Sequence, residues 1–149
     1  MIAIYPGVYV GTVDEAFRWK GRAILAAKEP CHRDAVGYSS KAAPKDNPEY
    51  LIARRGNRMI LNAVDNIAVQ WIDKGMIQQA LDFVSPEETT LIACNQGRSR
   101  SPAIALMWML KCGHIKAASL VDAENDFKHL YPAYAPTQGY RDFINQNYF

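Results

Sequence analysis

Apolar residues along this chain come in short runs separated by longer, spaced patterns. Runs at 3–5, 8–10, 22–27, 58–62 and 90–93, rich in Ile, Val, Leu and Ala, predict strands. Helical spacing predicts helices near 13–19, 66–84, 101–112, 115–129 and 137–147. In the second of these, Ile67, Trp71, Ile72, Ala80, Leu81 and Val84 recur where one face would meet a core. Residues 103–112 are nearly all apolar, which predicts a helix buried on most sides. Ser101 suits its cap, Pro102 its first helical position and Gly113 the position just past its end. Leu130 to Pro136 holds Pro132 and Pro136 and reads as a connection. Strands that alternate with helices predict an α/β fold, with a mostly parallel central sheet covered by helices on both faces.

Composition narrows this picture. The 149 residues suit a single compact domain spanning 1–149. Hydrophobic content of 49% and charged content of 21% fit a soluble globular protein. A net charge of +2 gives no argument for a nucleic-acid partner. No apolar run approaches the ~18 residues of a membrane span, and the N-terminus has no basic block followed by an apolar one. Cys31, Cys94 and Cys112 do not make a disulfide framework, so reducing cytoplasm is the expected setting. Cys112 is expected in the core. The three histidines show no metal-ligand spacing, and no metal or cofactor is expected.

The chemistry concentrates where the strand at 90–93 hands over to the following helix. There the chain reads Cys94-Asn95-Gln96-Gly97-Arg98-Ser99-Arg100-Ser101-Pro102. Unpaired N–H groups and the positive end of the helix dipole make such a junction attractive to anions. Successive loop N–H groups form a nest for a tetrahedral oxyanion, and Gly97 allows the turn. Arg100 can clamp two phosphate oxygens with its planar fork. The same field favours a thiolate at Cys94 and makes it a nucleophile at neutral pH. A lone cysteine beside a helix is ordinarily a core residue. Arg six positions on, Gly at the third position and Ser after the Arg set this one apart.

With these residues the chain resembles a cysteine-dependent phosphatase of the dual-specificity class, within the protein-tyrosine-phosphatase superfamily. The family loop of Cys, five residues, Arg and a hydroxyl is matched here, as is its Gly-x-Ser-Arg-Ser-Pro form at Gly97–Pro102. Ile4–Gly11 is similar to the family's opening strand, and Pro136–Phe143 to the start of its closing helix. The resemblance implies Cys94 as nucleophile, Arg100 as phosphate clamp and Ser101 as the hydroxyl that assists release of the thiolate. Asn95, Gln96, Gly97, Arg98 and Ser99 would cradle the phosphate. The family's general acid is an Asp about thirty residues before the Cys, and Asp65 stands 29 before Cys94. Asp65 also lies between a predicted strand and a predicted helix, at the carboxyl edge where ligands of an open sheet gather. Its plainer role would be to cap that helix. Asp73 and Asp82 are expected inside the helix and solvated, with Asp46 as the rival acid.

Two departures accompany the match. Ala93 stands where the family usually has His, and Thr137 where it often has Asn. The stretch 28–57 fits poorly; it is rich in Pro, Gly, Ser, Lys and Asp, and reads as a loop at the active edge. His32, Arg33, Arg54 and Arg55 are its candidate contacts for an anionic substrate, or else a solvated basic surface. The leading expectation is a monomeric, metal-independent phosphatase acting on phosphorylated protein or peptide through a phosphocysteine. Alternatives are a phosphate-binding module without turnover, a phosphatase of lipid or RNA 5′-phosphate, and a sulfur-transfer enzyme or arsenate reductase.

Overall fold

Alternate residues of each central strand enter opposite cores. Ile24, Ala26, Ile92 and Cys94 belong to a core of 33 buried residues, whereas Ala23, Leu25, Leu91 and Ala93 belong to one of 10 on the other face. The computed structural model describes residues 1–149, and every residue of the strand Thr90–Cys94 is buried. Six strands form the sheet: β1 (Ile2–Tyr5), β2 (Val8–Thr12), β3 (Arg22–Ala26), β4 (Ile52–Arg55), β5 (Arg58–Leu61) and β6 (Thr90–Cys94). Their order is β1-β2-β6-β3-β5-β4. The four middle strands run parallel, as the alternation predicts, while β1 and β4 pair antiparallel at the two edges. Tight connections explain the edges. Gly7 and Gly56 turn with φ of 85° and 60°, and a connection that short cannot cross back over the sheet.

Helices cover both faces. The short helix α1 (Val13–Arg18) begins in a capping box of Thr12 and Glu15, and packs on the smaller core with the turn α2 (Arg33–Val36). The larger core lies under α3 (Lys74–Phe83), α4 (Arg100–Lys111), α5 (Leu120–Leu130) and α6 (Gln138–Tyr148). Ile92, Ile104, Leu61 and Ile144 are fully buried there, each worth about 1.5–3 kcal/mol of transfer free energy. No helix is long and apolar enough to cross a membrane.

Several boundaries differ from the sequence expectations. The helix expected from residue 66 begins only at Lys74, because Asp73 accepts from the Met76 N–H and caps it. Asp73 is thus a cap and not an interior residue. Ile67 and Trp71 lie before that cap, Trp71 at the end of a short 3-10 turn (Val69–Trp71), and are 81% and 68% exposed, not in the core. Helix α5 starts at Leu120 behind the Ser119 cap, later than the predicted 115. Helix α4 starts at Arg100, so the cap position falls to Ser99 and not Ser101. Cys112 ends α4 and is exposed, contrary to its expected burial.

The stretch 28–57 holds an unforeseen strand, β4, and is internally bonded. His32 is fully buried; its ring nitrogens face the Tyr38 hydroxyl at 3.0 Å and the Glu49 carbonyl at 2.8 Å. Arg33 pairs with Glu29, Arg55 with Glu49, and the Arg54 guanidinium lies 4.7 Å from the Phe83 ring centre. His32, Arg33 and Arg55 thus serve the segment's own structure, while Arg54 packs on Phe83 of α3. Burial pushes the His32 imidazole below its ordinary value, partly opposed by the Glu49 carbonyl. Its stabilising contribution is complete above the unfolded value near ~6.5 and is lost as pH falls through the lower folded value. We expect the urea midpoint to fall on going from about pH 7.5 to about pH 5, with a flatter profile in His32→Gln. Parallel profiles for the two proteins would contradict this role.

Candidate active site

The carboxyl ends of the parallel strands converge at Cys94, the last residue of β6. The buried Cys94 Sγ lies 3.1 Å from Ser101 Oγ, in the first turn of α4. That hydroxyl is also 3.3 Å from the Gly11 carbonyl, so its single proton can serve either the sulfur or the β2 backbone. Between Cys94 and α4 the chain makes a small ring. None of the backbone N–H groups from Gln96 to Ser101 donates to an acceptor within the protein. Pro102 has no N–H, and the helix ladder begins with Ala103 donating to the Ser99 carbonyl. No side chain caps α4, so its first turn presents open donors.

Arg100 completes the ring. One terminal guanidinium nitrogen donates to the Ala63 carbonyl at 3.0 Å, while its Nε is buried without any partner. A buried donor of that kind costs about 1–3 kcal/mol until an acceptor arrives. Cys94, Arg100, Asp65 and the intervening loop line a cavity of 190 Å³. The unpaired loop N–H groups and the partnerless Arg100 Nε belong to the residues that border this space beside the sulfur. That arrangement is complementary to a tetrahedral oxyanion and offers no array of metal ligands.

The ring keeps its shape through a brace that sequence reasoning treated only as a connection. The Tyr131 hydroxyl donates to the Gly97 carbonyl, and burial pushes that phenol up, which preserves its proton. Ala135 N–H donates to the Arg98 carbonyl at 2.8 Å, and Thr137 N–H to Ser99 Oγ at 2.9 Å. Gly97 turns with φ of 66°, and a Cβ there would lie 3.0 Å from the Tyr131 hydroxyl and 3.2 Å from the Gly11 carbonyl. The brace is anchored in turn by Glu124. Burial pushes this carboxyl up, but hydrogen bonds from Arg141 and Tyr134 outweigh it and hold the group below the usual carboxylate range. No local motif announces these contacts; each depends on α5 and α6 folding back beside the loop.

Asp65 reaches the same cavity on the loop after β5. Its Oδ1 accepts from Ser99 Oγ at 2.6 Å. Because Ser99 Oγ already accepts from Thr137 N–H, its own proton is directed at Asp65. Thr137 also binds the Asn66 carbonyl at 2.7 Å, and Gly139 leaves room for that carbonyl, which a Cβ would approach to 2.3 Å. Asp65 therefore caps no helix. Ser99, expected in the phosphate cradle, turns its hydroxyl to Asp65 and can offer only its backbone to an anion. Asn95 points its amide at the Glu29 carbonyl, and Arg98 is exposed at the mouth. Ala93 is buried in the smaller core. Asp46 lines no part of this cavity, and Asp82 pairs with Lys111. Burial pushes the Cys31 thiol up to about 11, so it is no rival nucleophile.

The fold has known counterparts. The chain superposes on the human tyrosine phosphatase-like serine/threonine/tyrosine-interacting protein with a TM-score of 0.64 at 14% identity, covering 98% of this chain and 93% of that one. It matches DUSP15 with a TM-score of 0.62 at 18% identity, covering 98% and 85%. The Yvh1 phosphatase domain from Chaetomium thermophilum gives 0.60 at 16% identity, covering 97% and 92%. No protein-family model matches the sequence, and no curated protein matches it significantly. The chain has the same fold as these phosphatase and phosphatase-like structures.

A ring of open donors is expected to bind vanadate, and binding to the folded state raises Tm. Gly97→Ala forces a side chain into the left-handed turn and against Tyr131. It should remove most of the vanadate-induced shift, as read by thermal denaturation. An equal shift in both proteins would contradict the assignment of the ring as the anion site.

Proposed function

We propose that the protein is a metal-independent phosphomonoesterase that dephosphorylates protein or peptide substrates through a phosphocysteine on Cys94. The observation that carries this reading is the set of unsatisfied donors from Gln96 to Ser101, with the orphaned Arg100 Nε, closing around one sulfur. In the first step the Cys94 thiolate attacks phosphorus. The bond to the leaving oxygen breaks as Asp65 supplies its proton. The equatorial oxygens gain charge where the loop N–H groups and Arg100 already point, and each such donor is worth about 10²–10³ in rate. In the second step Asp65 takes a proton from water, the water oxygen attacks phosphorus, and the sulfur leaves as a thiolate. Ser101, at 3.1 Å, can donate to that sulfur as the bond breaks.

Ser99 acts in this reading as a positioning residue, aiming Asp65 at the leaving oxygen. The small cavity suits phosphotyrosine, phosphoserine and phosphothreonine alike. Arg98, and no lysine, stands at the mouth, which favours a protein over a lipid headgroup. A reactive thiolate calls for reducing surroundings such as the cytoplasm.

A second reading is a module that holds phosphate groups without turnover. It is favoured by Ala93 in place of the usual histidine, and one structural neighbour carries the name of a phosphatase-like interacting protein. Arsenate reduction draws no support, since Cys112 sits beyond the far end of α4, about 18 Å from its start.

Hydrolysis of an aryl phosphate with chelator present separates these readings. Turnover should vanish in Cys94→Ser and fall about 10²–10⁴-fold in Asp65→Asn, with vanadate binding retained. Ser99→Ala should lose roughly 10-fold, and that loss should disappear in the Asp65→Asn background. Turnover that survives Cys94→Ser would remove the phosphocysteine, and unchanged turnover in Asp65→Asn would move the acid role elsewhere.

A further inference from the structure

The loop that carries Asp65 has a second side. Val64, Ile67 and Trp71 are 36%, 81% and 68% exposed, although Thr137 holds the Asn66 carbonyl between them and Val69–Trp71 form a 3-10 turn. Beside them is a cavity of 360 Å³, larger than the phosphate pocket, whose walls include Lys28, Tyr50, Leu51, Val64, Asn66 and Trp71. Asp65 faces the phosphate pocket, while its neighbours Val64 and Asn66 face this one. The loop is therefore a partition between two adjoining spaces.

Two further contacts join the spaces. The Lys28 N–H donates to the Ala63 carbonyl, which also accepts from Arg100. The next residue's carbonyl, on Glu29, accepts from Asn95 in the phosphate loop. A phosphoester whose leaving oxygen lies against Asp65 must lay the rest of the substrate over or beside this partition.

The lining chooses among substrates. Its single cation, Lys28, already donates its ammonium to the Lys41 carbonyl at 2.5 Å. The Asn62 amide is committed to the Tyr50 carbonyl, and Asp73 caps α3. An RNA strand or an inositol polyphosphate finds no second cation here to meet its further charges. The apolar part of the lining is Tyr50, Leu51, Val64, Met76 and the broad face of Trp71, with the uncharged Asn66 amide beside it.

We infer that this cavity receives an apolar side chain close to the phosphorylated residue of a peptide substrate, with Trp71 as its aromatic wall. The inference rests on the phosphopeptide reading above and adds a sequence preference to it. Burial of one such side chain typically discriminates by about 10-fold or more.

The test is a binding series on the Cys94→Ser chain, read by fluorescence anisotropy. The probes are short phosphopeptides with Leu, Phe or Ser at each of two positions on either side of the phosphoresidue. Leu or Phe at one position should bind about 10-fold more tightly than Ser. Trp71→Ala should erase that advantage and Trp71→Phe should keep it, with Tm as the check on fold. Filling the cavity by Ala42→Phe, at another residue of its lining, should erase it too. Equal binding of all peptides, an advantage that survives both Trp71→Ala and Ala42→Phe, or tighter binding of 5′-phosphorylated RNA or a phosphoinositide headgroup overturns the inference. Aryl phosphate turnover by the unaltered protein is read separately. If it is absent while the peptide preference holds, catalysis fails and the subsite stands.

Discussion

A helix that begins with neither a side-chain cap nor backbone acceptors for its first turn leaves charge unbalanced in a buried place. In this protein that imbalance marks the candidate site. The open N–H groups from Gln96 to Ser101 and the partnerless Arg100 Nε surround the Cys94 sulfur, and nothing else in the chain satisfies them. Desolvated donors fixed before the anion arrives pay little reorganisation when charge develops among them. The same donors are free to receive an oxyanion when one enters.

Such a ring is held open only if something outside it resists collapse. The segment 131–139 does so by bonding Gly97, Arg98 and Ser99 in turn, while Thr137 and Gly139 fix the backbone of Asn66. One connection thereby sets the distance between the phosphate loop and the loop that carries Asp65. The buried Glu124, tied to Arg141 and Tyr134, anchors that connection to α5 and α6. The shape of the loop after Cys94 thus depends on packing more than thirty residues further along the chain.

How much of this can be read from sequence follows from the range of each interaction. Cys94, Gly97, Arg100 and Ser101 are legible because the chemistry demands fixed spacing along one turn. The parallel centre of the sheet is legible because the strands alternate with helices. Asp65 is legible in position, though its partner is not: the Ser99–Asp65 bond spans 34 residues, and its polarity is set by Thr137. Periodicity misplaced Ile67 and Trp71 because a hydrophobic pattern continues through a boundary that Asp73 imposes. It misplaced Cys112 in the same way, since the apolar run outlasts the buried part of α4. Strand β4 escaped notice because Ile52–Arg55 is an edge, half of it charged and exposed. Arg33 and Arg55 looked available only because Glu29 and Glu49, which bind them, lie several residues away.

The account stands or falls on whether phosphorus becomes bonded to one sulfur. Mixing the protein with an aryl phosphate, quenching in acid within a turnover and mapping the digest by mass spectrometry reads that bond. A phosphoryl group is expected on the peptide containing Cys94, and more of it in Ser101→Ala, where the thiolate leaves with less help. Product that accumulates with Cys94 unmodified throughout, or a phosphoryl group found on any other residue, would contradict it.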